Sequence, residues 1–199
     1  MRNVEDVLVP SGGDVYQAPV GTVLPIDLTT PPASPWENIG FVSNDNPPTI
    51  TGLTRDVTDL FAWNIDTPLR TALAPAAPVI NMELLQPESE DSFNLFFGGG
   101  TFTAGTAGSP DKYEAPAIST PVEAATIIDV VDGTKLYRLM FPRTQTRANG
   151  DMPLGRGAFV VMPIAMSILT PSSGPWLTVL VAANPPAAFA AEQTDEAAA

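Results

Sequence analysis

The residue types best suited to chemistry in this chain are its carboxylates. There are 22 Asp and Glu against 9 Lys and Arg, a formal net charge of −13. Asp56 with Asp59, and Glu90 with Asp91, lie close enough in sequence to serve as acid–base pairs. Such work needs a positioned partner that tunes the pKa of one member. Acids this abundant form neighbouring pairs by chance, mostly in solvent. Asp129, Asp132 and Asp151 offer oxygens to calcium, yet no loop has the alternating ligand spacing of a dedicated site. Aspartate is in any case favoured beside turns. Gly98-Gly99-Gly100 precedes Thr101 but lacks the lysine and following helix of a phosphate loop. A helix stop explains Gly98 more simply. Histidine and cysteine are both absent, which excludes thiolate chemistry, disulfides, Cys/His zinc sites and His-dependent triads. No catalytic, cofactor-binding or metal-ligating residue is expected, and the chain does not read as an enzyme.

Arg138, Arg143, Arg147 and Arg156 form the only basic cluster. Binding nucleic acid takes Lys and Arg to replace phosphate counterions, and this cluster has neither aromatic nor further basic support. The acidity argues against gripping DNA, not against standing near it. Two other readings stay open for the cluster. One is a solvated hairpin face, and the other is a set of cations that meet the acidic surface of a neighbouring subunit and fix register. Trp36 and Trp63 read as core or interface anchors rather than ligand platforms.

These residues need elements to hold them. At 199 residues one domain is expected, since no interior linker separates two complete apolar patterns. The 22 prolines punctuate the whole chain and rule out long helices over most of it. There is no basic-then-apolar leader pattern. The longest apolar run, Ala158 to Leu169, is too short to span a bilayer and carries Pro163, so no membrane anchor is expected.

Residues 1–35 read as an extended, proline-broken arm, 36–182 as a β domain and 183–199 as a flexible alanine-rich tail. The arm does not look like a packed element. Its Tyr16, Val20, Val23, Leu24 and Ile26 are nevertheless more apolar than disordered tails usually are, so it should order against something. Trp36 to Gly98 reads as the organising module, with strands first and a helix as lid. Ile39–Val42 and Thr49–Val57 would be hairpin legs about a polar turn. Phe61–Ile65 and Leu69–Leu73 alternate, and Ile80–Leu84 alternates cleanly.

The helix is expected from Pro87 to Phe97. Pro87 would take the first helical position, and Glu90 and Asp91 would favour the positive end of the dipole. Phe93, Phe96 and Phe97 form one stripe, with Gly98 as the stop. Residues 98–120 read as a long loop, functional or mobile. Val122–Val131 and Lys135–Phe141 should pair across Asp132-Gly133. A second hairpin is signalled at Asn149-Gly150, then a strand over Phe159–Leu169 whose Pro163 argues for an edge or a bulge. Trp176–Val181 should be the last strand.

The order and spacing of several short motifs carry a resemblance. Tyr16, Ala18-Pro19, Gly21-Thr22 and Pro25 are followed by Trp36 and Ile39-Gly40-Phe41-Val42-Ser43. Then come Arg55-Asp56-Val57, Ala62-Trp63, Leu69-Arg70-Thr71, Phe96-Phe97-Gly98 and, weakly, Ile168-Leu169-Thr170. Together they resemble the major tail proteins of long-tailed bacteriophages, closest to those of actinobacteria. The likeness covers most of residues 15–100 and is patchy beyond. One departure is Asp45, followed here by Asn46-Pro47-Pro48 where family members often have Gly.

The expected fold is mainly β: an antiparallel sandwich or partly open barrel, one short flanking α-helix, an extended arm and a long loop. The resemblance implies a structural virion protein. Copies would form hexameric rings stacked into a tail tube, the conduit for genome delivery. It would meet tape-measure, tail-terminator and distal tail proteins, be made in the bacterial host cytoplasm, and let viral DNA pass without specific binding. Tyr16, Val20, Leu24, Phe41, Trp63, Arg138, Arg143 and Arg147 are the candidate subunit contacts. The legs Phe41–Val57 and Leu69–Leu84 are expected to line the lumen. The competing expectation is a decoration protein or β-sandwich module that recognises a host surface or carbohydrate through an exposed aromatic platform.

Overall fold

The computed structural model describes residues 7–182, apart from Thr29, Pro87, Glu88, Ala107 and Thr134. The expected tail at 183–199 lies outside the described residues. The architecture is an eight-stranded antiparallel sheet with one helix on it and two separate two-stranded hairpins.

Strands β9 (Val122–Asp132) and β10 (Lys135–Ala148) form its centre. β9 is rich in β-branched residues, and β10 carries Tyr137, Phe141, Thr144 and Thr146, types that suit half-buried pleated surfaces. Their pairing runs from Lys135↔Asp132 to Thr146↔Val122, broken by a bulge between Phe141 and Thr144. Pro142 sits in that bulge, a place where a strand tolerates the missing N–H. The bulge is also a hand-off. Before it, Leu136–Met140 pairs with β12 (Thr178–Ala182); after it, Thr144–Ala148 pairs with β11 (Met162–Ile168). The centre of the fold is therefore this hairpin, not the Trp36–Gly98 stretch.

On the far side of β9 lies β1 (Gly12–Ala18), paired with it over seven residues, and then β2 (Glu37–Asn38). Within the arm expected at 1–35, residues 12–18 thus form a strand of the sheet, paired with β9 of the same chain. Gly13 permits the pairing, because a Cβ there would stand 2.0 Å from the Asp129 carbonyl oxygen.

Beyond β11 the sheet continues through β6 (Val79–Leu84) to β3 (Thr49–Thr51) at the edge. The alternation of β6 holds as expected: Ile80, Met82 and Leu84 are buried, and Val79, Asn81 and Glu83 are half-exposed. Pro163 is not on an edge strand, since β11 has β10 on one side and β6 on the other. It lies one residue past the last β10 partner, Ile164, where that ladder runs out.

Residues 39–57 do not make a hairpin with each other. Val42 bridges Leu84, and Thr49 and Thr51 pair with Asn81 and Val79. Both segments run along β6 as one interrupted edge, because its backbone offers the nearest unpaired donors and acceptors. The Asp45–Pro48 turn bulges out between them. Phe61–Ile65 is likewise not a strand. It lies in the connection of a separate hairpin, β4 (Val57–Leu60) with β5 (Arg70–Leu73).

Helix α1 spans Glu90–Phe97 and packs on β10 and β11. Ser89 caps it, its Oγ accepting from Ser92 N at 3.0 Å; the expected role of Pro87 lies outside the described residues. Glu90 and Asp91 fill the first turn, and Gly98 (φ 74°) ends the helix in the left-handed region. Ser92, Leu95 and Phe96 are buried beneath it. Phe93 stacks on Tyr113, with ring centroids 4.8 Å apart. That tyrosine belongs to β8 (Lys112–Glu114), which pairs with β7 (Thr101–Thr103). The segment expected as a structureless loop thus holds a small hairpin, fastened to the helix by aromatic contact.

The core has two sides. Val15, Ile80, Leu84, Leu95, Phe96, Ile128, Phe141 and the β11 apolar row fill the side under the helix. Tyr16, Ala18, Trp36, Ala125, Ile127 and Met140 pack on the other, where residues 19–36 cross the sheet as a strap. The sheets do not close into a barrel.

Candidate assembly interface

The candidate contacts divide sharply by burial. Tyr16 is buried beside Trp36 in the second core cluster, and Leu24 is partly buried against it. Both hold the strap to its own sheet. Val20 is exposed on the strap, with Val23 and Ile26, and Phe41 is exposed at the start of the interrupted edge.

Arg138 lies wholly inside its subunit. It stands directly across from Asp129, with two 2.7 Å hydrogen bonds from Nε and Nη2 to the carboxylate oxygens, both side chains fully buried. Its remaining donors reach the strap, Nη1 to the Asp27 carbonyl at 3.0 Å and Nη2 to the Thr30 carbonyl at 3.3 Å. Burial pushes the Asp129 carboxyl above the usual carboxylate value. Arg138 pulls it down by hydrogen bond and charge, and Asp14 on the neighbouring strand adds a smaller upward push. A forked guanidinium that satisfies a carboxylate and two carbonyls is a structural clasp. It accounts for Asp129 without calcium. Asp132 instead accepts from Val9 N at 3.1 Å. Among the described residues no group of three or more His, Cys, Asp or Glu could hold a metal ion.

The other arginines of the cluster are at the surface. Arg143 forks onto Glu123 at 2.9 Å with both side chains over a third exposed. Arg147 donates to the Ser167 hydroxyl. Arg156 is exposed on the 150–161 connection. The four therefore do not form one cationic patch, because β10 turns its residues to opposite faces and the bulge changes their phase.

Of the tryptophans, Trp36 is core and Trp63 is fully exposed. Trp63 sits in the connection of the β4–β5 hairpin, which makes no substantial contact with any other element. Val57, Leu60, Phe61, Ile65, Leu69 and Leu73 of the same hairpin are also exposed. An isolated two-stranded hairpin is at best marginally stable in water, and an exposed apolar patch of this extent marks a contact surface. Sequence reading singled out Trp63 but passed over the rest. The available signal was that Val57 and Leu60 fall on opposite faces of one short strand, a pattern no half-buried strand would show.

β3, β6, β11 and the second half of β10 present a polar row. Asn81 Nδ2 donates to Thr51 Oγ1 at 3.0 Å, and Asn149 Nδ2 to Asn81 Oδ1 at 3.1 Å. A cavity of about 460 Å³ opens near the start of the helix, lined among others by Pro19, Pro35, Glu37, Asp91, Asn94 and Leu95. No helix among the described residues is long and apolar enough to cross a membrane.

A family model for phage tail tube proteins matches residues 1–191. None of the curated proteins matches the chain.

Proposed function

Because this chain belongs to the phage tail tube protein family, a structural rather than an enzymatic one, we propose that its copies form hexameric rings which stack into the genome conduit of a long-tailed phage. The phage would infect actinobacteria, as the motif spacing over residues 15–100 suggests, and the chain would be made in the host cytoplasm. Its further contacts are with tape-measure, tail-terminator and distal tail proteins.

The observation that carries this reading is the 52–77 hairpin. It exposes eight large apolar side chains, Leu53, Val57, Leu60, Phe61, Trp63, Ile65, Leu69 and Leu73, and its own subunit offers them no cover. Copies of the same chain, present at high local density in a tube, can supply it. Open sheet edges at β2, β3 and β12 have the same need, and β12 adds exposed Val179 and Val181. Val20, Val23 and Ile26 on the strap, and Phe41, are further apolar contact points. Arg143 and Arg147 are the surface cations of the candidate set.

We place the polar row of β3, β6, β11 and β10 toward the lumen. Its Thr51, Asn81 and Asn149 side chains are already bonded to one another, and Arg147 on the same face is held by Ser167. The chain's acidity repels phosphate over about 8 Å at physiological salt. Of the segments expected to line the lumen, 41–51 and 79–84 belong to this sheet. Residues 52–77 leave it.

Size-exclusion chromatography with negative-stain microscopy of the purified chain tests the assembly. Rings or tubes on the order of 100 Å across are expected from six compact domains of this length. A stable lone subunit at high concentration would favour the decoration or surface-binding module instead.

A further inference from the structure

We infer that the cavity at the N-terminal end of α1 is the socket for the 52–77 hairpin of a second copy, with Trp63 as the inserted anchor and Arg70 as the charge that orients it. The inference rests on the tail tube reading and names the contact that builds the assembly.

Three features of the cavity select this occupant. Its walls are apolar where Pro19, Pro35 and Leu95 line it, and its volume of about 460 Å³ accommodates a large aromatic ring. Asn94, another lining residue, carries the one buried side-chain oxygen without a hydrogen-bond partner among the described residues. A buried acceptor left unpaired carries its full desolvation penalty, so a donor brought by a partner is favoured there. Exposed Glu37 and Asp91 line the same cavity and take part in none of the ion pairs among the described residues.

The hairpin supplies the complement. Trp63 is fully exposed, and its indole offers a donor and no acceptor. Arg70, across from Leu60 at the end of the hairpin ladder, and Arg55 on the same arm are exposed and form no ion pair among the described residues. In a chain with 22 acids and 9 bases, two unpaired arginines flanking an apolar arm are a specific resource. An aromatic anchor in a pocket with charges at its rim is the usual arrangement of a binding hot spot. The rim charges steer and orient the approach more than they add affinity.

The chain has no cysteine, so single introduced thiols report one contact cleanly. Asn64→Cys, which keeps Trp63, and Glu37→Cys are made in separate chains, mixed, assembled and oxidised. A disulfide-linked heterodimer in the tube fraction is expected. Tubes that form in normal yield without it overturn the socket alone. If the untreated wild-type chain forms no tubes, the assembly reading falls and the socket with it.

A second measurement exchanges charges. Arg70→Glu is expected to cut assembly at least tenfold at physiological salt, and Asp91→Arg in the same chain to recover most of it. Thermal unfolding of each subunit checks that neither change acts through folding. Full assembly by Arg70→Glu, or failure of both Asp91→Arg and Glu37→Arg to recover a folded Arg70→Glu chain, overturns the assigned pairing.

Discussion

At the residue scale the most consequential contact is the Arg138–Asp129 clasp. Desolvating two charges is costly, and the attraction within a buried pair can fall short of that cost. The raised Asp129 carboxyl reflects that balance. Removing one partner is a different matter, since it leaves a buried charge alone. Arg138→Met is expected to destabilise the subunit by about 3–5 kcal/mol in urea titrations at neutral pH, with release of the 24–30 strap seen as faster amide exchange. The sign with pH follows from linkage. The folded state holds the Asp129 proton more tightly than the unfolded chain does. Its contribution is therefore complete in acid, below the ordinary carboxylate value, and is lost as pH rises through the raised folded value. Asp129→Asn should flatten that part of the wild-type profile. Arg138→Met should deepen it and be least destabilised in acid, because the downward pull on the carboxyl is gone. A profile that rises with pH over this window would contradict the assignment.

At the scale of elements, the hairpin of β4 and β5 is separable from the fold that bears it. Residues 52 and 77 stand together at its base, where a Cβ on Gly52 would lie 2.3 Å from the Ala77 carbonyl. A short Gly-Ser turn in place of residues 53–76 can therefore close the gap. Subunit stability should change by no more than about 1 kcal/mol, because loop closure entropy varies slowly with length, while tube formation should be lost. Calorimetry and microscopy on the same sample read the two outcomes. Helix α1 behaves oppositely, as its capping and packing are internal. Ser89→Ala is expected to cost about 1 kcal/mol in subunit stability through loss of the bond to Ser92 N. Assembled tubes, if their contacts are as proposed, should form normally from the folded fraction.

For the molecule as a whole, a conduit must be acidic or neutral where the genome passes and adhesive where subunits meet. The polar row and the apolar arm satisfy these demands on separate surfaces. Lysines introduced at Thr51 and Asn81, both on the outward face of the β3–β6 pair, would present cations to passing phosphate. Genome release from otherwise normal particles is expected to slow, and to recover as salt is raised. Unchanged release from particles of normal tail length would place that sheet away from the lumen.

Sequence alone determined the local grammar of this protein. The absence of His and Cys closed off whole chemistries. Proline spacing ruled out long helices over most of the chain. Acid at Glu90 and Asp91, the phenylalanine stripe and Gly98 marked that helix to within three residues, and the Asp132-Gly133 turn marked the central hairpin. What alternation cannot encode is which strand finds which. Segment 39–57 pairs along β6 rather than with itself, residues 12–18 enter the sheet beside β9, and β11 lies inside despite Pro163, because backbone donors and acceptors are satisfied by neighbours far away in sequence. The same holds for charge. Arg138 and Arg143 look alike in sequence, yet strand phase and the bulge at Phe141–Thr144 bury one as a clasp and leave the other at the surface. Tertiary structure alone decided that Trp63 and its hairpin would be left without a partner in their own subunit.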